Sequence, residues 1–314
     1  MTKKTTVALI YDFDKTLCTK DMQEYTFIPN IGKTPKEFWT ESNKFANDEK
    51  MDKILSYMYH MILGSSFAKK SIHRKDFEKM GEDIEFFPGV ENWFKRIEEY
   101  GKKKVTIEHY VISSGLKEII EGSKIYKPAN FKEIYACEFY YNENGIAVWP
   151  LSVVNYTTKT QFLFRINKGV LDVADDESVN KFTPENERKI PFRNMIYIGD
   201  GMTDVPCMKL VKSHGGNSIA VYNSSKKDAQ TLLLDDRVNY IAKADYSEGT
   251  ELDEIVKQII DKISVEDELV KKQVKMQKEA KKQIEIQKET KRKREIQREA
   301  KTLIDEKDEN IKKS

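Results

Sequence analysis

Three short apolar runs, each ended abruptly by a polar or small residue, restrict this chain more than anything else in it. Val7 to Tyr11 stops at Asp12, Tyr110 to Ile112 stops at Ser113, and Met195 to Ile198 stops at Gly199-Asp200. A continuous apolar run, rather than an alternating one, is what a strand covered on both faces needs. Parallel strands of an α/β sheet are therefore expected. Ligands of such sheets bind beyond the carboxyl ends of the strands. Three strands would then deliver polar groups to one rim. At 314 residues the chain is long enough for one such core and a smaller appended unit.

The stretch between the first two runs, Thr19 to Phe87, is rich in Phe, Tyr, Met, Lys and Glu. Within it Ile54, Leu55, Met58, Met61 and Ile62 fall at helical spacing. It reads as a small helical insertion that ends near Pro88-Gly89, after which a helix from Val90 to Tyr100 returns to the core. Ala136 to Val148 reads as two short strands around Asn-Glu-Asn-Gly. Thr158 offers a cap for a helix from Thr160 to Asn167, and Gly169 a stop. From about Val265 the chain is dominated by Lys, Glu, Gln and Arg. Its apolar positions, Val270, Val274, Ile284, Ile296, Leu303 and Ile304, keep no heptad, so a long solvated helix is expected rather than a robust coiled coil. The expected organisation is a Rossmann-like parallel-sheet core (1–18 and 88–264), an inserted helical cap (19–87) and a charged helical tail (265–314).

Charged residues make up 34% of the chain, yet the net charge is only +2. That balance gives no basis for nucleic-acid binding or for attraction to anionic membranes. The cluster Lys291-Arg292-Lys293-Arg294 leaves contact with a protein partner open, although interspersed Glu residues favour a solvated helix face. No run approaches the roughly 20 apolar residues of a membrane helix, and no signal-peptide pattern opens the sequence. Cys18, Cys137 and Cys207 form no CxxC pair, and His60, His73, His109 and His214 show no ligand spacing. A cytoplasmic protein with free thiols is expected.

The chemistry sits at the run ends. Asp12-Phe13-Asp14-Lys15-Thr16 places two carboxylates two residues apart, on one side at strand-like spacing. One carboxylate can attack phosphorus while the other handles a proton. Gly199-Asp200-Gly201-Met202-Thr203-Asp204 brings two more acids to the same rim. Four acids repel one another unless a cation holds them, and hard oxygen ligands favour Mg²⁺. Ser113 can hydrogen-bond a phosphoryl oxygen, and a helix starting near Leu116 adds N–H donors. Lys159 stands at a helix start, where a cation opposes the dipole unless an anion needs it. Lys168 competes for that role but has a structural reason to stand at a helix end.

In order along the chain, these four elements resemble the haloacid dehalogenase superfamily, from about Val7 to Val221. The resemblance implies that Asp12 is the nucleophile and that Asp14 protonates the leaving alcohol and later activates water. Ser113 and Lys159 would hold the phosphoryl group, with Thr16, Asp21, Ser114 and Gly115 around the substrate. Asp12, the backbone carbonyl of Asp14, and Asp200 would bind Mg²⁺, with Asp204 in support. The presence of Asp14 favours phosphate-ester hydrolysis over carbon–halogen cleavage, and no GxxxxGK[ST] loop supports kinase chemistry. The insertion looks like the cap of the phosphoserine phosphatase branch. Asp21 falls where that branch carries an acidic substrate-binding residue, and Arg74 is the cap's only arginine. Lys15 and Ser114 depart from the branch's small residue and glycine. The expected activity is hydrolysis of a small phosphorylated metabolite through an aspartyl phosphate. The alternatives are a phosphotransferase of the same fold, and an inactive binding or scaffold protein acting through the charged tail.

Overall fold

The computed structural model describes residues 4–68, 72–127 and 130–312. Residues 1–3, 69–71 and 128–129, the last two residues of the expected tail, and the side chains of Asn186 and of 299–312, Leu303 and Ile304 included, lie outside what is described.

Seven strands form one sheet: β1 (Thr6–Tyr11), β2 (Thr106–Leu116), β3 (Glu133–Tyr141), β4 (Ala147–Ser152), β5 (Met195–Gly199), β6 (Asn217–Tyr222) and β7 (Tyr240–Lys243). Their order is β4-β3-β2-β1-β5-β6-β7. Neighbours are parallel except β3 and β4, which run antiparallel. The expected apolar run is the centre of the molecule. Val7 to Tyr11 are wholly buried, and Ile10 aligns with Tyr110 on one side and Tyr197 on the other. From β1 the sheet continues to β2 one way and to β5 the other. The carboxyl end of β1 is thus a topological switch point, where open α/β sheets form a crevice.

β2 is longer than the apolar run suggests. It continues through Ser113-Ser114-Gly115 to Leu116, which still aligns with Cys137 of β3, and an irregular register absorbs the polar residues between. Ser113 therefore lies inside the strand rather than after it.

Helices α1 (Phe27–Asn30), α2 (Pro35–Asp48), α3 (Lys53–Phe67) and α4 (Arg74–Gly81) fill the stretch between β1 and α5 (Val90–Gly101). Thr34 opens α2 with a reciprocal capping box to Glu37 and a proline at the first turn. Asp52 caps α3 by accepting from the N–H groups of Ile54 and Leu55. Ile54, Tyr57, Met58 and Met61 form the buried face of α3, at the spacing expected of one side of a helix. The remaining helices are α6 (Lys117–Glu121), α7 (Lys159–Lys168), α8 (Asp176–Asn180), α9 (Val205–Ser213), α10 (Lys227–Leu234) and α11 (Glu251–Lys312). α7 ends as expected at a left-handed Gly169 (φ 76°). Its start differs from expectation, because the Thr158 side chain does not cap it. The Asn155 carboxamide oxygen accepts from the N–H groups of Thr157 and Thr158 instead.

The chain divides into two units, Met1–Ile263 and Ser264–Ser314. α11 begins in the first, where Leu252, Val256, Ile259, Ile260 and Ile263 are buried. In the second, Val265, Leu269, Met276, Ile284, Ile286 and Ile296 are exposed, and Val270 and Val274 are half-buried. Among the described residues no helix is long and apolar enough to cross a membrane.

α4 meets α6 backbone to backbone. A Cβ on Gly122 would lie 1.7 Å from the carbonyl oxygen of Glu78, and one on Gly81 would lie 2.2 Å from that of Ile119. Neither contact has a flexible side chain that could yield. Gly122→Ala is expected to lower the unfolding free energy by about 3 kcal/mol, the upper end of ordinary overpacking costs. Equilibrium denaturation measures it, and an unchanged midpoint would contradict the packing described.

Candidate functional site

Asp12 leaves β1 with its backbone N–H donating to the carbonyl of Ile198 (2.9 Å), which ties the end of β1 to β5. Asp200 and Asp204 follow β5. Gly199 makes their turn possible, since a Cβ there would lie 2.5 Å from Oδ2 of Asp204. The Lys159 ammonium, wholly buried at the start of α7, reaches Oδ1 of Asp12 at 2.9 Å and Oδ1 of Asp204 at 2.8 Å. The Tyr197 hydroxyl donates to the same Asp204 oxygen at 2.7 Å. The other one, Oδ2, is buried without a partner. One oxygen from each of Asp12, Asp200 and Asp204 lies within 4.8 Å of the others.

The charges here do not balance. Burial raises Asp12 to about 7, with repulsion from Asp204 adding to it and Lys159 opposing. Burial likewise raises Asp200 to about 8, helped by Asp204 and Asp12. Asp14 is raised well above the usual carboxylate range by burial first, then by Asp21 and Asp12. Burial works against the Lys159 ammonium, yet Asp12 and Asp204 outweigh it and hold its proton more tightly than usual. One ammonium cannot neutralise this many acids. The all-oxygen donor set and the orphaned buried oxygen of Asp204 fit a hard divalent cation.

Beside the cluster lies a cavity of about 280 Å³ whose lining includes Asp12, Asp14, Lys159 and Asp200. Asp21 and Ser114 also line it. Asp14 accepts from the backbone N–H of Met22 through Oδ1 (2.9 Å). Three other expected site residues are placed differently. Ser113 is wholly buried off the cavity lining, and its Oγ accepts from the N–H of Gly115. Thr16 is also wholly buried, with its hydroxyl unpartnered. Gly115 makes room for Met22, since a Cβ there would lie 2.1 Å from Cε of that methionine. Lys168 is far from competing with Lys159, because its ammonium donates to the carbonyls of Val179 and Lys181. Arg74 does not line the cavity and is ion-paired with Glu78, Glu121 and Glu138.

Several contributors were not anticipated. Gln23, Trp39, Asn43, Lys53, Tyr57 and Tyr156 share the cavity lining. Which helix face meets the sheet rim is not readable from periodicity, although Tyr57, three residues after Ile54 and four before Met61, shares their side of α3. Asn155 was also missed. Besides organising the start of α7, its amide donates to Asp52 at the start of α3 (2.9 Å). Asp21 is ion-paired with Lys15 at 2.6 Å, and Lys15 holds a left-handed backbone (φ 56°). A residue with a side chain pays on the order of 1 kcal/mol for that conformation.

The family model for haloacid dehalogenase-like hydrolases matches residues 9–209. A protein of Borreliella burgdorferi, described only as uncharacterized, is 31% identical over 274 residues, covering 78% of this chain and 93% of that protein. Two solved structures share the fold. A HAD family hydrolase of Salmonella enterica serovar Typhi superposes with a TM-score of 0.52 at 16% identity, over 77% of this chain and 68% of that one. A probable phosphoserine phosphatase of Vibrio cholerae gives 0.51 at 13% identity, over 84% and 67%.

The raised carboxyls have a consequence for stability. A group whose folded pKa lies above its unfolded value binds extra protons in the native state, so stability falls as pH climbs from about 4 toward the folded value. Asp200→Asn removes one such charge. In chelator-treated protein at pH 8 it is expected to raise the unfolding free energy by on the order of 1–2 kcal/mol, and to change little at pH 4. Denaturant titrations at the two pH values check this.

Proposed function

The chain belongs to the haloacid dehalogenase-like hydrolase family, and on that footing we propose that it is a Mg²⁺-dependent phosphatase of small phosphomonoesters. One observation carries this reading. A wholly buried lysine is shared between Asp12 and Asp204 at the carboxyl ends of two adjacent parallel strands, with Asp200 close enough to share an ion. A scaffold has no use for so costly a cluster of buried acids.

Asp12, Asp200 and Asp204 would hold the ion, with the backbone carbonyl of Asp14. When bound, Mg²⁺ would supply the positive charge that this cluster lacks and would offset negative charge on the phosphoryl oxygens. The protein's own groups do the rest. Lys159 fixes the Asp12 carboxylate through Oδ1 and presents an ammonium beside the incoming phosphoryl group. Asp12 attacks phosphorus, and a new Asp12 O–P bond replaces the ester P–O bond. Asp14, whose buried carboxyl keeps its proton to higher pH than usual, gives that proton to the departing alcohol oxygen. In the second half Asp14 takes a proton from water, the water oxygen attacks phosphorus, and inorganic phosphate leaves with Asp12 restored. Charge placement and orientation supply the acceleration, as phosphoryl transfer requires. The helices α2 and α3 act as a cap that shuts the cavity to bulk water.

With p-nitrophenyl phosphate, the parent should show Mg²⁺-dependent turnover and Asp12→Asn should lose at least about 10³-fold. Retained turnover in that variant would sink the mechanism. Protons compete with the ion for Asp12 and Asp200, so Mg²⁺ should bind more tightly at pH 8 than at pH 6. The rise in thermal midpoint on adding Mg²⁺ should be correspondingly larger at pH 8.

A further inference from the structure

Two polar atoms on the cavity wall have no partner in the protein. Gln23, 2% exposed, lines the cavity with its Oε1 buried and unbonded. Ser114 lines the same cavity with its hydroxyl buried and unbonded. Buried polar atoms are almost always satisfied, so two orphans among the residues lining one cavity mark groups that a ligand completes. Both are neutral: the amide oxygen accepts, and the hydroxyl both donates and accepts, so a substrate hydroxyl can complete either.

Asp21 and Arg74 are already paired. Asp21, the carboxylate placed to meet a substrate ammonium, is held by Lys15 at 2.6 Å. Lys15 keeps that pairing from a left-handed backbone position that favours glycine. Arg74, the arginine that could have met a substrate carboxylate, is tied to Glu78, Glu121 and Glu138 away from the cavity. The ammonium of a zwitterionic amino acid would thus find Asp21 occupied, while Lys53 is a lining cation available to an anionic group. Apart from Lys53, the remaining polar lining is neutral and hydrogen-bonding: Ser42, Asn43, Tyr57, Tyr156 and Thr203. The volume of about 280 Å³ lies just under the ordinary lower bound of roughly 300 Å³ for small-molecule sites, which favours a compact ligand.

We propose that the substrate is a compact, hydroxyl-rich phosphomonoester, a polyol or sugar phosphate, whose hydroxyls are read by Gln23 and Ser114. This rests on the phosphatase reading above. A site built to hydrogen-bond substrate hydroxyls rejects analogues that leave its polar groups unpaired.

The test uses the full chain with Mg²⁺ and compares kcat/KM for glycerol 3-phosphate, glucose 6-phosphate, O-phospho-L-serine and p-nitrophenyl phosphate. At least one of the two hydroxyl-rich esters should exceed O-phospho-L-serine by about 10-fold or more. Gln23→Met, which keeps the side-chain length, should lower the ratio of the preferred ester to p-nitrophenyl phosphate by about 10-fold. Equal or better turnover of O-phospho-L-serine overturns the proposal, whatever the variant does. A proportional loss on both esters in Gln23→Met overturns the role of Gln23 and makes it a packing residue. Absence of turnover on every ester, p-nitrophenyl phosphate included, overturns the phosphatase reading itself.

Discussion

The ammonium of Lys159 is one positive charge set among the carboxylates of Asp12, Asp200 and Asp204, and the rest of the site is arranged around that shortage. A buried charge is tolerated only when its partners are close and well placed. Here two carboxylate oxygens lie within 3 Å of Nζ, and the Tyr197 hydroxyl braces one of them. An oxygen of Asp204 is left unsatisfied, and proton affinity rises at Asp12 and Asp200 because burial, with repulsion among the acids added, outweighs what one lysine can cancel. Sites of this kind store instability in the empty protein and release it when their ligand arrives.

Much of this arrangement was legible in the sequence because it is local. An apolar run broken by Asp12, and another broken by Gly199-Asp200, announce strands that end at one rim whatever else the chain does. Lys159 was legible for a subtler reason, namely that a cation at a helix start is unfavourable unless something negative waits there. Other features depend on contacts between distant segments and leave no local trace. Ser113 was taken to follow its strand, yet pairing with β3 carries β2 past it to Leu116. Thr158 looked like the natural cap of α7, but the carboxamide of Asn155 three residues earlier takes that place. Gln23 could not be singled out at all, because a short turn after a motif gives no periodicity to read.

The two halves of the site differ in how they are made. Asp12 and Asp200 directly follow strands whose backbones are locked by neighbours on both sides, which sets their spacing, and Asp204 stands at the start of α9. The opposite wall is contributed by α2 and α3, which meet the core through polar links such as Tyr57 to the Ser114 carbonyl (2.7 Å) and Asn155 to Asp52 (2.9 Å). A strand-built floor suits chemistry that is sensitive to small displacements, and a helical wall suits recognition, which can differ among proteins of one fold.

The glycine contact between α4 and α6 divides that helical wall mechanically. Backbone pressed on backbone has no rotamer through which to slide, and Arg74 clamps the same helix to Glu121 and Glu138. α4 therefore travels with the sheet. α2 and α3 instead meet the sheet through side chains, the buried Phe38, Ile54, Met58 and Met61 and the hydrogen bond of Tyr57, which can shift where backbone cannot. Any widening of the cavity that leaves this contact intact therefore has to come from α2 and α3, while Gln23, on the turn before α1, and Ser114, within β2, belong to neither helix.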